Sequence, residues 1–189
     1  MTVYRLAFNG PTDLAPLNSL RGRIADILGR PDCDSIIVIF SSGGGSTFEA
    51  LNFAEYLRIL PVDVPFHAVG AVASAAVPLF MSAKTRTCSA DCRFLFHNLE
   101  WGFSAGGKST DAIEEAQLVL DAERAAFKKI ATENTNIPPA KVNSFFGRHV
   151  VPTIVDAKQA KDWGIVNDVV TLKANLATPP NIAVWTVGW

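Results

Sequence analysis

The chain has 189 residues, of which 49% are hydrophobic and 19% charged, so it can bury a core of single-domain size and is not a disordered polypeptide. Its 17 basic and 18 acidic residues give a net charge of −1 without a block of one sign, which argues against nucleic acid or a membrane as partner. The N-terminus has no basic segment followed by an apolar run, as a signal peptide would, and no apolar run approaches the roughly 18 residues of a membrane helix.

Strand and helix patterns alternate along the first half of the chain. Residues 3–9 are predicted to form a strand, and residues 17–28 carry the apolar stripe of a helix that Gly29 and Pro31 end. The apolar run of residues 35–40 is typical of a parallel strand that is buried on both faces. A glycine-rich turn, a helix, a strand and a buried helix follow, at residues 41–47, 48–60, 67–70 and 71–83.

The second half contains shorter strands and one long helix. Two strands, at residues 85–90 and 93–96, precede a glycine-rich segment at residues 101–108. The longest helix spans residues 111–134, with Asp111 and Glu114 as a capping pair. Its apolar stripe consists of Ile113, Ala116, Leu120, Phe127 and Ile130. Two short helices and a last strand follow, at residues 141–146, 157–163 and 165–170.

Strands that alternate with helices in this order predict βαβ units with right-handed crossovers and a mainly parallel sheet. The fold class is therefore α/β, with one domain over residues 1–176. The tail from Ala177 to Trp189 is rich in proline and then in aromatic residues. It is predicted to be an arm that either packs on the domain or forms an association surface.

Two side chains with nucleophilic or basic chemistry are predicted to follow strands. Ser74 lies among alanines and valines at the start of a buried helix, where small neighbours permit a sharp turn and the helix terminus favours a developing negative charge. His97 follows an apolar strand, at the end that borders the crevice of a parallel sheet, and is a candidate general base. For each, the alternative is a purely structural hydrogen bond. His67 is predicted to be structural.

The glycines at residues 43–45 follow a buried strand and open a helix. A phosphate loop would need a lysine here, and Phe48 stands where the dinucleotide fingerprint requires its third glycine. The turn is therefore either simply flexible or a backbone that lies against an extended peptide or an oxyanion.

In this order the motifs resemble the proteolytic subunit of Clp protease. That family has Asn-Ser-Pro-Gly-Gly after a strand, where this chain has Ser41-Ser42-Gly43-Gly44-Gly45. Its Gly-x-Ala-Ala-Ser-Met-Gly-Ala and Arg-x-Met-Ile-His-Gln-Pro segments are matched by residues 70–77 and 93–99. Its glycine-rich strand with a long handle helix, and its Ser-Ala-x-Glu-Ala-x-x-Tyr-Gly-Leu-Ile-Asp segment, are matched by residues 101–134 and 156–167.

The resemblance covers residues 3 to 170 and implies a ClpP/crotonase-like spiral of βαβ units with a protruding handle helix. It implies a self-compartmentalising serine peptidase with Ser74 as nucleophile and His97 as general base. The backbone N–H groups of Gly45 and Ala75 would form the oxyanion hole. Subunits would assemble through the handle helix into homo-oligomeric rings that cut peptides inside.

The chain departs from the family at the third catalytic residue. The position of the family's catalytic Asp falls on Pro152, so Thr153, a backbone carbonyl or an acid from elsewhere would have to orient His97. Asp156 matches a helix-capping serine and is predicted to be a cap. The chain also begins almost on its first strand, without the family's pore-loop segment, which argues against docking of a Clp-type ATPase.

Three other functions stay open. A catalytically inactive ring that acts as a scaffold or binding shell is compatible with the missing Asp. An acyl-CoA enzyme of the crotonase type would share the fold but rely on carboxylates, and Glu49 and Glu100 have no obvious pairing. A Ser-Lys hydrolase would combine Ser74 with Lys84, although His97 occupies the expected place of the base.

The chain has three cysteines, and this odd number without a signal peptide predicts reduced thiols and a cytoplasmic location. Cys88 and Cys92 are four residues apart, which is not the usual spacing of zinc ligands, and they would need His97 to complete a site. We expect two small residues packed in or beside a strand, and neither a metal nor another cofactor.

Overall fold

The computed structural model describes residues 2–102, 107, 109–172 and 184–187, the last four by their backbone alone. The strands are β1 Val3–Asn9, β2 Ser35–Ser42, β3 Phe66–Ala73, β4 Arg86–Cys88, β5 Arg93–Phe96, β6 Thr153–Asp156, β7 Asp168–Val169 and β8 Val184–Val187. The helices are α1 Leu14–Leu28, α2 Thr47–Ile59, α3 Ala76–Met81, α4 Thr110–Asn134, α5 Pro139–Phe145 and α6 Ala157–Asp162. None of these helices is long and apolar enough to cross a bilayer.

The strands form one sheet with the order β6-β5-β3-β2-β1-β8, and β4 and β7 lie beside this path. All pairings are parallel except that of β5 with β6. The predicted α/β class with a mainly parallel sheet is therefore confirmed. β3 has two neighbours on one side, because β4 pairs with residues 66–68 and β5 with residues 71–73.

The core lies between the sheet and the helices. Phenylalanine rings connect the strands to α3: Phe8 stacks on Phe40 at 5.4 Å between ring centroids, and Phe80 lies 5.5 Å from Phe94. Along β2, buried residues alternate with half-buried ones such as Ile37. The prediction that this strand is buried on both faces is thus wrong for the single chain, because the helices cover one face more completely than the other.

Several boundaries differ from the prediction where small or polar residues carry little periodicity. Residues 71–73 continue β3 instead of opening a helix, because β5 supplies a strand partner there. β6 was not predicted, and it pairs antiparallel with β5 at the sheet edge. The predicted glycine-rich segment at residues 101–108 and most of the predicted tail lie outside the described residues.

The long helix begins one residue earlier than predicted and is capped differently. Ser109 is its N-cap, with its Oγ accepting a hydrogen bond from the N–H of Ala112, so the predicted pair of Asp111 and Glu114 is wrong. The predicted apolar stripe includes Ile113, yet this residue is 53% exposed. The first turns of α4 therefore lie away from the core, and only the later turns pack on it.

His67 is buried in β3, and its Nδ1 lies 2.8 Å from the hydroxyl oxygen of Thr87. Burial lowers the pKa of this imidazole below its ordinary value of 6.5, since the charged form loses hydration. At pH values between the lowered pKa and 6.5, the unfolded chain binds more protons than the folded chain. The contribution of neutral His67 to the free energy of unfolding is therefore fully present above this pH range and decreases as the pH falls through it.

We therefore expect the free energy of unfolding to fall as the pH is lowered through 6.5, the ordinary pKa of the His67 imidazole, and a His67→Asn variant to lose part of that pH dependence. Urea unfolding at several pH values, followed by circular dichroism, measures it. His149→Asn is the matched control, because it removes a histidine that is exposed instead of buried. An identical pH profile for His67→Asn and the wild type would refute the assignment.

Candidate active site

The glycine turn, Ser74 and His97 meet at one edge of the sheet. They follow β2, β3 and β5 respectively, which are parallel neighbours, so their carboxyl ends lie side by side. Ser74 and His97 line the same small cavity. The structure therefore brings together the two side chains that the sequence singled out.

Ser74 occupies a sharp turn between β3 and α3. Its φ is +57°, and it is the only non-glycine residue in the described part of the chain with a positive φ. Such a conformation costs about 1–3 kcal/mol and persists where the surrounding structure enforces it, often at functional sites. The turn is held by a 2.9 Å hydrogen bond from the N–H of Ser74 to the carbonyl of Leu95 in β5. A strained serine between a strand and a helix is also the geometry of a nucleophile elbow.

The glycine turn approaches Ser74 through Gly44. A Cβ added to Gly44 would lie 2.5 Å from Ser74 Cβ and 3.1 Å from its Oγ, and the φ of Gly44 is +93°. The turn is tied to the loop before α1 by a 2.9 Å hydrogen bond from the N–H of Thr12 to the carbonyl of Gly44. Only a glycine therefore fits at position 44, because any side chain would displace the serine.

We expect Gly44→Ala to destabilise the fold by about 1–3 kcal/mol and to abolish covalent labelling of Ser74, since Cβ and the serine cannot both occupy their places. Thermal unfolding and labelling by a fluorophosphonate measure the two effects. Gly43→Ala is the matched control, because a Cβ there meets nothing within 4 Å. Equal stability and labelling in the two variants would contradict the close approach.

His97 has a fixed ring orientation. Its Nδ1 lies 2.8 Å from the backbone carbonyl oxygen of Asn98, and since a carbonyl can only accept, Nδ1 carries the hydrogen. In the neutral ring, Nε2 is then free to accept a proton. Thr153, one of the predicted orienting groups, instead donates its hydroxyl hydrogen to the carbonyl of Val151 at 2.9 Å.

The N–H groups of Gly45 and Ala75 flank the contact between Gly44 and Ser74. Within the described residues, neither N–H donates a hydrogen bond to another group, whereas the N–H of Gly44 bonds to Ser42 Oγ at 3.2 Å. The first turn of α2 begins at Thr47, just after Gly45, so its unpaired N–H groups add positive potential nearby.

Asp13 is a residue of this region that the sequence reasoning missed. Its Oδ1 accepts a 3.0 Å hydrogen bond from the N–H of Ser46 instead of capping its own helix, and this oxygen lies 2.6 Å from the place of a Cβ added to Gly45. The chain places it 33 residues from Ser46, so no local pattern could have indicated the contact. A backbone carbonyl was among the groups predicted to orient His97, and in the structure the carbonyl of Asn98 contacts the ring, although no residue pattern could have named that residue.

The other chemical combinations considered do not come together. Lys84 lies beyond the end of α3 opposite to Ser74, and the two residues line different cavities. Cys88 ends β4 and His97 follows β5, and these strands pair with different halves of β3. No group of metal-ligating side chains is found in the described part of the chain. Asp156 caps α6 by accepting from the N–H of Gln159 at 2.8 Å, as predicted.

Comparison with known proteins identifies the family of the chain. Residues 28–173 match the family model described as Clp protease. The chain is 30% identical over 152 residues to ATP-dependent Clp protease proteolytic subunit 3 of Rhodococcus jostii, covering 78% of this chain and 72% of the relative. It is 27% identical over 145 residues to the protein of the same name from Rhizobium etli, covering 76% and 72%. The match spans the glycine turn, Ser74 and His97 alike, and the chain belongs to the Clp protease family.

Proposed function

We propose that the chain is a serine peptidase in which Ser74 is the nucleophile and His97 the general base. The observation that carries the proposal is the strained turn at Ser74, which shares a cavity with a histidine whose Nδ1 is held by a backbone carbonyl. A positive φ at a serine is costly, and a purely structural serine would gain nothing from it.

In the proposed reaction, Nε2 of His97 removes the hydroxyl proton as Ser74 Oγ attacks the carbonyl carbon of a peptide bond. The carbonyl oxygen becomes an oxyanion, which the N–H groups of Gly45 and Ala75 stabilise; deletion of one such donor costs about 2.7–4 kcal/mol in known cases. The imidazolium then gives its proton to the leaving amine, and the acyl-enzyme forms. Water, deprotonated by the same nitrogen, hydrolyses the ester and regenerates Ser74.

The third group in this proposal is the carbonyl of Asn98 rather than a carboxylate. It fixes the tautomer in which Nε2 is the base, which is one task of the Asp in a serine triad. It carries no full negative charge, so it stabilises the imidazolium less than a carboxylate would. The proposal therefore implies slower turnover than a Ser-His-Asp centre would give.

The proposed active form is a homo-oligomeric ring that admits peptides to an internal chamber. The exposed start of α4 supports self-association, because Leu118 and Ile113 present 72% and 53% of their surfaces to solvent on a helix that otherwise packs on the core. Apolar side chains of this size are commonly buried when a partner is present. We propose no part for a Clp-type ATPase.

A second candidate is a catalytically inactive ring that serves as a scaffold. Pro152, which immediately precedes β6, stands where a catalytic carboxylate would be expected from the resemblance, and this observation favours the candidate. A crotonase-type acyl-CoA enzyme has no comparable support, since Glu49 lies in the first turn of α2 and Glu100 is exposed beyond β5.

Labelling with a fluorophosphonate, located by mass spectrometry on the assembled oligomer, tests the proposal. Labelling at Ser74 together with hydrolysis of a peptidyl ester supports the peptidase. Binding of acyl-CoA without labelling at Ser74 and without ester hydrolysis would instead support a crotonase-type acyl-CoA enzyme. A folded oligomer that is neither labelled nor active would support the inactive ring.

A further inference from the structure

The cavity shared by Ser74 and His97 is almost filled, and most of its wall is apolar. Four phenylalanines contribute to this wall, at positions 96, 127, 145 and 146. The free volume is about 10 Å³, which is close to the room that a single water molecule needs. No side chain larger than a methyl group can enter this space without moving a ring.

The rings that fill the cavity are packed against one another. Phe96 stacks on Phe145 with 4.2 Å between centroids, and Phe146 lies edge-on to Phe96 at 5.7 Å and to Phe127 at 6.0 Å. Phe96, Phe127 and Phe145 are each at most 2% exposed, and Phe146 is 7% exposed. A ring in such a cluster moves only if its neighbours move too.

The segment that carries Phe146 is also held in place. Phe146 is the C-cap residue directly after α5, and its N–H donates to the carbonyl of Val142 at 3.0 Å. Two residues later, Arg148 forms a 2.5 Å ion pair with Asp121 of α4. The wall that Phe146 makes is therefore tied to two helices, and the narrow cavity is a property of the fold rather than of one rotamer.

This geometry bears on the substrate if Ser74 attacks a peptide carbonyl, so the inference rests on the proposed function. The side chain of the residue that contributes this carbonyl projects beside the nucleophile and has to find space there. We infer that Phe146 is a specificity-determining residue and that the site selects peptides with glycine or alanine before the scissile bond. A leucine or phenylalanine at that position would need to displace the aromatic cluster.

The test uses peptidyl coumarin amides that differ only in the residue before the scissile bond. For the wild type we expect kcat/KM for alanine to exceed that for leucine by about tenfold or more, the range that steric rejection in an apolar pocket supplies. Phe146→Ala should lower this ratio by about tenfold, mainly through faster cleavage after leucine. Phe146→Leu, the variant that keeps more of the packing, should lower it less.

Phe53→Leu is the control for general loosening of the core, because Phe53 is fully buried but packs on Tyr56 outside the cavity. Its ratio should equal that of the wild type. A wild type that prefers leucine, or Phe146 variants with an unchanged ratio, would overturn the inference while fluorophosphonate labelling at Ser74 still supports the peptidase. Absence of that labelling would overturn the proposed function and this inference with it.

Discussion

Replacement of Ser74 by alanine is expected to reduce peptide hydrolysis by about 10³-fold or more and to abolish fluorophosphonate labelling. The variant removes the attacking oxygen and leaves the cavity and the proposed N–H donors in place. His97→Ala should have a loss of the same order, because Ser74 Oγ is a poor nucleophile until Nε2 accepts its proton. Progress curves with a peptidyl ester and intact-mass spectra of the labelled protein measure both effects.

A double variant that lacks both Ser74 and His97 tests whether the two residues act together in one step or contribute independently. Groups that act together in one step show strongly non-additive losses, so Ser74→Ala combined with His97→Ala should be no less active than Ser74→Ala alone. His149→Ala is the control, since His149 is exposed and lies outside the cavity with Ser74. Full fluorophosphonate labelling of Ser74 in the His97→Ala variant would refute the assignment of His97 as the general base. Labelling that appears only in a Pro152→Asp variant would establish the inactive ring for the natural chain.

The largest expected effect on stability comes from Arg86. Arg86 is 4% exposed, and its guanidinium donates to the backbone carbonyls of Met81, Ala83, Asn134, Gly164 and Ile165. These carbonyls lie at or just beyond the ends of α3, α4 and α6, where the last peptide groups have no partner within the helix. One side chain thus satisfies the ends of three helices.

We expect Arg86→Met to destabilise the chain by about 3–5 kcal/mol, since each buried polar group that is left without a partner costs about 1–3 kcal/mol. Several buried carbonyls would lose their donor, and an unsatisfied polar group of this kind is costly. Burial lowers the pKa of Arg86, yet a guanidinium stays charged at neutral pH and keeps its donors. Arg86→Lys should recover only part of the loss, because an ammonium has fewer donors and cannot reach carbonyls on several sides.

Urea unfolding followed by circular dichroism measures the effect of Arg86. Arg23→Met is the matched control, since Arg23 is 46% exposed and pairs with Asp26 within α1. Loss of such a surface ion pair should cost at most about 1 kcal/mol. A cost for Arg86→Met that is no greater than for Arg23→Met would show that water or relaxed backbone replaces the guanidinium.

The elements with strong periodicity were predictable from the sequence. β1 and β5 begin and end at the predicted residues, and the helices near residues 14–28, 47–59 and 110–134 differ from the prediction by at most three residues at either end. Each of these strands and helices buries one face in the core, so the spacing of its apolar residues indicates its type and its position in the chain. The order of the glycine turn, Ser74 and His97 also indicated the family, which the comparison then confirmed.

Other features depend on contacts between distant parts of the chain. The sequence of residues 71–73 is compatible with either a helix or a strand. These residues form a strand because they pair with β5. No local sequence pattern indicates three of the contacts. These are the hydrogen bond that Asp13 accepts from the N–H of Ser46, the hydrogen bond from His97 to a backbone carbonyl, and the hydrogen bonds from Arg86 to five carbonyls.

The sequence by itself determined the fold class, the family and the candidate nucleophile and base, because these rest on local patterns and their order. Only the tertiary structure decided how Ser74 is strained, what holds His97 and how little room lies beside them, because those follow from packing between residues far apart in the chain.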